Sequence, residues 1–395
     1  MSIVLKNGKV ITQERIIDNG GIVLEDNKIK EIFQGEYTQR ESDTQVIDVE
    51  GLYISPGFID IHTHGGGGHD FMDGTTESII EAAKSHMKYG TTSIIPTTTT
   101  GDRESLFNTF DNIRLVKESS YDGPNILGLH LEGPYFSYEQ KGAQDPKYIK
   151  DPDPEEYLEI LDYSNDIIRW TIAPERNGAM ELGRLLNQRG IKPSIGHSNA
   201  VYEQVLEAFE NGYKLLTHFY SGMSMVRRIN AFRYPGVVES GYLIDDMYVE
   251  VIADGMHLPA SLLKLIYKIK GPDRICLVTD SMRGAGMPDG EYVLGNIDTG
   301  QKVIVEDGVA KLPSRDAFAG SVATVDRLVR NMVNLVDVPL QEAVKMMTYN
   351  PAKVMGIESN KGSIAIDKDA DIIVFDRDIK VSLVMVSGKI LINNL

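Results

Sequence analysis

Two imidazoles stand two residues apart in "GFIDIHTHGGGG", as His62 and His64, with four glycines directly behind them. On a strand, positions i and i+2 share a face. Asp60, His62 and His64 are therefore expected to point one way, and Ile59 and Ile61 the other, toward covering helices. Two neutral rings on one face make half of a divalent-metal site. Glu132 leaves the apolar run "NILGLHLEGP" as a carboxylate that, once buried, needs a cation or an ion pair. His197 in "SIGHSNA" and His218 in "LLTHFY" repeat a pattern of apolar run, histidine, then small or polar residues. Singly, each reads more readily as a satisfied core ring. With Glu132 they form a one-carboxylate, two-histidine set that leaves positions open for water. His130 shares the strand face of Glu132 one layer deeper and reads as supporting or structural.

Three further groups complete the chemistry. Asp280 in "LVTDSM" is either a helix cap or, opposite an acidified water, a general base. Asp254 and His257 in "ADGMH" offer a ring able to polarise a carbonyl. Arg227, Arg228 and Arg233 in "MVRRINAFRYPG" form a cationic cluster. Such clusters are usually solvated, but in a chain of net charge −17 this one is a candidate phosphate clamp. Gly65 to Gly68 lack the Lys-Ser/Thr of a phosphate loop and read as backbone passing close to the site and turning sharply.

Something must bring these residues together, and the spacing of apolar runs suggests what. Eight short runs, "GFIDIHTH", "TTSIIPTTTT", "NILGLHLEG", "IIRWTIAPE", "KPSIGHS", "YKLLTHFY", "VEVIADGMH" and "RICLVTDSM", alternate with helix-like segments. Two such segments are "TTESIIEAAKSHMKYG", closed by Gly90, and "NAVYEQVLEAFENG", closed by Gly212. Eight strands with intervening helices predict an α/β fold of the (β/α)8 TIM-barrel type, with a doubly wound open sheet as the alternative. In a barrel, chemistry gathers at the carboxyl ends of the strands. His62, His64, Glu132, His197, His218, His257 and Asp280 all fall there. The two ends of the chain read as short strands with turn signals, among them hairpin turns at "KNGK" and "EDNK" and a Ser-Gly turn in "VSLVMVSGKIL". They predict a small β-sandwich built from both termini, residues 1–52 and 352–395, around a barrel of residues 53–351.

Composition narrows the partners. The chain has 395 residues, 42% of them apolar and 25% charged. No run of eighteen apolar residues predicts a spanning helix. The beginning "MSIVLKNGKV" lacks the pattern of a signal peptide. The one cysteine, Cys276, can form no intramolecular disulfide, and a cytoplasmic location is expected. The negative charge argues against nucleic acid and anionic membrane as partners.

Together "PGFIDIHTHG", "HLEGP", "IGHS", "THFYSGMS", "IADGMHLP", "LVTDSMRGAGMPDGEY" and "FAGSVATVDRLVRN" resemble the N-acetylglucosamine-6-phosphate deacetylases of the amidohydrolase superfamily. The resemblance runs in order from about residue 50 onward. It implies that Glu132, His197 and His218 bind the main metal, and that His62 and His64 admit a second ion bridged by Glu132. It implies Asp280 as catalytic acid and base and His257 as the residue that polarises the substrate carbonyl. Ala143 and Phe318-Ala319-Gly320 match backbone positions that contact substrate. Three departures lie in the substrate pocket. His218-Phe219-Tyr220-Ser221-Gly222-Met223 stands where the family has Asn-Ala before Met. Gln144 stands where many members have His. Arg233, matched to the phosphate-binding arginine, precedes Tyr-Pro-Gly instead of Glu-Pro-Gly, with Arg227 and Arg228 as competitors.

The expected activity is hydrolysis of N-acetylglucosamine 6-phosphate to glucosamine 6-phosphate and acetate, with one or two zinc, iron, manganese or cobalt ions in a homodimer. Ser221 and Gly222 motivate one alternative, another N-acetylhexosamine phosphate such as the galactosamine isomer. A barrel that binds a sugar phosphate without hydrolysing it is the second.

Overall fold

The structure is a computed structural model that describes residues 2–38 and 43–395. Met1 and residues 39–42, within the expected amino-terminal sheet unit, lie outside the described residues.

The eight expected strands form one parallel sheet: β1 (Phe58–Thr63), β2 (Thr91–Thr98), β3 (Leu129–Glu132), β4 (Ile167–Ile172), β5 (Lys192–Ile195), β6 (Leu215–Leu216), β7 (Tyr248–Val251) and β8 (Ile275–Leu277). Each pairs with the next in chain order, as a (β/α)8 barrel requires. The seam between β8 and β1 closes just beyond the end of β8, against the last residues of β1 and the one that follows. Asp280 N–H donates to the His62 carbonyl (2.9 Å) and His64 N–H to the Ser281 carbonyl (2.8 Å). All eight residues of β2 are buried, because helices cover the outside of the barrel and side chains fill the inside.

The helices between strands start where the sequence supplies caps. Thr75 accepts from Ser78 N–H at the start of α1 (Thr76–Met87), and Asp102 from Ser105 N–H at the start of α2 (Arg103–Glu118). Gly90 and Gly212 carry the chain past the helices they were expected to close, at φ 101° and 95°.

Both ends of the chain enter a single eight-stranded sheet. They meet where Tyr53–Pro56 runs antiparallel to Ile372–Phe375. Ile29, from one end of the strand order, shares a core with Leu383 and Met385 near the other end, so the sheet doubles over into the expected sandwich. The Ile372–Phe375 strand serves two cores in alternation. Ile372 and Val374 face the sandwich, while Ile373 and Phe375 join the barrel core beside Phe58.

One expected turn is absent. Asn7-Gly8 does not reverse the chain, and a single strand runs Ser2–Ile11 through it. Asn7 is left-handed (φ 58°), yet the register merely shifts on both sides of Gly8, which is a bulge. A Cβ at Gly8 would lie 2.7 Å from Val49 and Ile54 side-chain carbons, so glycine is needed there for packing. The Asp26-Asn27 and Ser387-Gly388 turns form as expected.

Two excursions interrupt the barrel near its open face. A hairpin, Arg227–Ile229 with Phe232–Tyr234, follows β6. A three-stranded sheet (Gly290–Leu294, Gln301–Glu306, Val309–Lys311) follows β8.

Candidate active site

Strands β1, β5, β6 and β8 deliver His62 and His64, His197, His218 and Asp280 at or just beyond their carboxyl ends, and these side chains gather around Glu132 at the end of β3. Its Oε1 lies 2.9 Å from His218 Nε2, 3.3 Å from His197 Nε2 and 3.5 Å from His62 Nε2. Its Oε2 lies 3.5 Å from His64 Nε2 and accepts from Gln144 Nε2 at 2.7 Å. Asp280 Oδ1 lies 3.1 Å from His64 Nε2 and 3.4 Å from His62 Nε2. Two groups therefore share Glu132: His62 with His64, and His197 with His218.

The second nitrogen of every ring is already engaged. Nδ1 of His64, His197 and His218 faces the carbonyls of Thr97 (3.2 Å), Gln140 (2.8 Å) and Ser221 (3.1 Å), and Nδ1 of His62 faces Glu250 (3.0 Å). These are all acceptors, so each Nδ1 carries a proton, and in the neutral rings the lone pairs converge at Nε2. His62 Nε2 is buried without a hydrogen-bond partner. His197 Nε2 and His218 Nε2 face each other at 3.1 Å beside a carboxylate. Facing lone pairs next to negative oxygens suit divalent cations, so the donor set fits metal in both groups.

Without an ion, protons take its place. Burial opposes a charged ring at His64, yet its hydrogen bond to Asp280 and the charges of Glu132 and Asp280 raise it to about 9. At His218 burial is likewise outweighed, by the Glu132 hydrogen bond and charge, and the ring also rises to about 9. Burial opposes the charge on Glu132, but the surrounding histidines hold it well below the usual carboxylate range. His130 goes the other way: burial and the Arg169 charge push it far down. It stays a neutral wedge between Thr97 Oγ1 (3.2 Å) and Thr171 Oγ1 (2.6 Å), under the His62 ring.

Backbone conformation at the site is unusual for the residues involved. His197, His218 and Asp280 have φ of 47°, 32° and 46°, a left-handed region that L residues seldom occupy outside turns. Gly222 makes room for one of them, since a Cβ there would lie 2.9 Å from His197 Nδ1.

A cavity opens over Glu132 and the histidines around it, lined in part by Ala143, Gln144, Ser221, Gly222, His257 and Phe318. His257 is fixed by Asp254, whose Oδ2 faces its Nδ1 at 2.8 Å and whose Oδ1 accepts the Met256 and His257 N–H groups, each at 2.8 Å. Gly320 also lines the cavity, whereas Ala319 turns into a small core with Met282 and Leu294.

Several expected neighbours are elsewhere. Asp254 stands behind His257 and does not line the cavity. Arg227 donates to Asn199 Oδ1 (2.6 Å) and its carbonyl (2.9 Å), while Arg228 and Arg233 are exposed on the hairpin; none of the three lines the cavity. The glycines behind His64 pack against α1 instead of the cavity. Gly65 and Gly66 pair with Asp70 and His69, and a Cβ on Gly66 would lie 2.6 Å from Ser85 Oγ.

Sequence reasoning missed Arg169 and Glu250. Both were legible as charges in the middle of apolar strands, "IIRWTI" and "YVEV", where only a buried partner would allow them.

The sequence pattern of the amidohydrolase family matches residues 53–391. The chain is 34% identical, over 99% of its length and 98% of the relative, to an N-acetylglucosamine-6-phosphate deacetylase of Lysinibacillus sphaericus. It is 32% identical to an N-acetylgalactosamine-6-phosphate deacetylase of Escherichia coli O157:H7, over 99% of each chain. Its fold matches that of the N-acetylglucosamine-6-phosphate deacetylase from Pasteurella multocida at a TM-score of 0.91, with 31% identity and all of both chains covered.

Proposed function

We propose that this chain, which belongs to the N-acetylglucosamine-6-phosphate deacetylase family of the amidohydrolases, hydrolyses N-acetylglucosamine 6-phosphate to glucosamine 6-phosphate and acetate. The observation that carries the reading is the meeting of four histidines on Glu132, with Asp280 beside them, under a cavity in a chain similar to such enzymes over its whole length.

Glu132, His197 and His218 would hold a divalent ion, which when bound would supply Lewis acidity and an acidified water. Asp280, kept ionised by the neighbouring rings, takes the proton of the attacking water. As the carbon–nitrogen bond breaks, Asp280 returns that proton to the departing amine, so one carboxylate serves both steps. His257, its Nδ1–H paired with Asp254, turns Nε2 toward the cavity. When doubly protonated, it donates there to the carbonyl oxygen as negative charge develops. Backbone at Ala143, Ser221, Gly222, Phe318 and Gly320 outlines the sugar.

The cavity has no lysine or arginine among its described lining residues, so a phosphate needs its cation from elsewhere. We assign that role to the hairpin of a second copy, with Arg233 as the contact and Arg227 and Arg228 beside it. Met225 and Val226, just before the hairpin, and Phe232 on it support a homodimer, because these apolar side chains are 55–71% exposed. The division into a sandwich of residues 1–52 and 352–395 and a barrel of 53–351 agrees with the separate core of the terminal sheet. Cys276 is buried, and no described helix is long and apolar enough to cross a membrane; we place the protein in the cytoplasm. Zinc, iron, manganese and cobalt all suit the donors.

Acetate release, measured on N-acetylglucosamine 6-phosphate, its galactosamine isomer and plain N-acetylglucosamine, tests the reading. Turnover is expected to be fastest on the first. Preference for the isomer moves the substrate, and no hydrolysis by metal-replete protein rejects the activity.

A further inference from the structure

Beneath the converging ring nitrogens, the barrel interior holds an ion pair that no step above uses. Arg169, in the middle of β4, and Glu250, in the middle of β7, are both 0% exposed. Arg169 Nη1 donates to Glu250 Oε1. The other contacts of the guanidinium fix it against the barrel wall: Nη1 on the Ile61 carbonyl (3.2 Å), Nη2 on Thr217 Oγ1 (2.8 Å) and Nε on Ser194 Oγ (3.1 Å). Arg169 thus leaves Glu250 Oε2 free to face upward. That oxygen accepts twice, from His62 Nδ1–H at 3.0 Å and from the backbone N–H of His218 at 3.1 Å. One carboxylate grips a residue from each of the two groups that share Glu132.

A purely structural ion pair would be an inefficient choice here, since apolar side chains of similar volume serve a core at least as well. What apolar residues cannot do is choose a tautomer. An ionised carboxylate at Nδ1 keeps the His62 proton there and the lone pair on Nε2. That Nε2 has no hydrogen-bond partner and lies 3.5 Å from Glu132 and 3.4 Å from Asp280. A lone pair aimed at two carboxylates is stable with a cation among them.

We propose that Glu250, anchored by Arg169, is a positioning residue that fixes His62 as an Nε2 ligand and thereby creates a second ion position at His62, His64 and Glu132. The inference rests on the metal-dependent reading above and adds to it the residue pair that decides the ion count.

Glu250→Gln is nearly isosteric. Arg169, which can only donate, holds the amide oxygen at the Oε1 position. The NH2 group then takes the place of Oε2, gives up the His218 N–H, faces His62 Nδ1 and drives the ring proton to Nε2. Equilibrium dialysis against buffered Zn²⁺, followed by elemental counting, reads the outcome without any substrate. The native protein is expected to hold two ions per chain. Glu250→Gln is expected to hold one, with affinity for the other reduced about 10–100-fold. Because this variant leaves Arg169 without its counter-charge, the pair Arg169→Met/Glu250→Leu serves as a second test with both charges and the acceptor for His62 Nδ1 removed, and the same loss is expected. In a His62→Gln background, adding Glu250→Gln should change the zinc count no further, whereas a general loosening of the barrel would lower it again. Two ions retained by both Glu250 variants, or one ion in the native protein, overturns the proposal and leaves the deacetylase reading standing. A native protein that takes up no ion overturns both.

Discussion

The terminal sandwich and the open face of the barrel use the same rare backbone conformation for opposite ends. In the sandwich, left-handed φ falls mostly on short polar residues at bulges and turns, among them Asn7, Asn19, Asp26, Asp367 and Ser387, with Glu50 and Ile379 as exceptions. At the barrel face it falls on His197, His218 and Asp280, which have no such local excuse. In the first region the residue was chosen to suit the backbone. In the second the backbone is bent to suit the residue, and surrounding contacts must hold it there. Charge divides the same way: around Glu132 and Asp280 the barrel face buries four histidines, while Asp371 is the one buried ionisable group among the described residues of the sandwich.

The sharpest test of that division is Asp280→Asn, expected to lower acetate release by about 10³–10⁴-fold while the ion content and melting temperature stay near native. Near-native turnover would remove Asp280 from the chemistry. In the sandwich, Leu383→Ala should do the reverse. It should lower stability by about 3 kcal/mol in urea unfolding, with unchanged kcat for the folded fraction. A loss of kcat there would mean that the two regions are coupled.

Proton competition separates them next. His64 and His218 are raised above the ordinary histidine value in the ion-free protein. Their stabilising contribution is therefore full below about 6.5 and lost as pH rises through about 9. Ion-free protein should become less stable over that window. Zinc affinity should rise across it by about tenfold per pH unit for each ring that must give up a proton. A flat affinity profile would contradict protonated rings at the site. The smallest effect is expected at Asn7→Ala, about 1 kcal/mol of stability for a left-handed residue in the sandwich, with ion content unaffected.

Much of this arrangement was legible in the chain. All eight barrel strands stand where the apolar runs placed them, because each run is bounded by polar or turn residues. The site histidines were visible for the same reason. Asn7-Gly8 misled because its signal is local, and a bulge and a hairpin make the same demand on φ; the packing of Gly8 against Val49 and Ile54 decided between them. Arg169 and Glu250 lie 81 positions apart, and no spacing rule joins two strands across a barrel interior. The three arginines were placed near the cavity because they follow His218 closely in sequence, but the hairpin carries them outward.

The seam between the first and eighth strands has a consequence for how the protein comes into being. Its closing bonds run from Asp280 and Ser281 to His62 and His64, residues separated by more than 200 positions of chain. A nascent polypeptide that has extruded seven strands already carries the other ligands, yet lacks both Asp280 and the contacts that bring the first histidine pair into line. Completion of the barrel and completion of the site are then one event during synthesis, and truncated products are born without the finished chemistry.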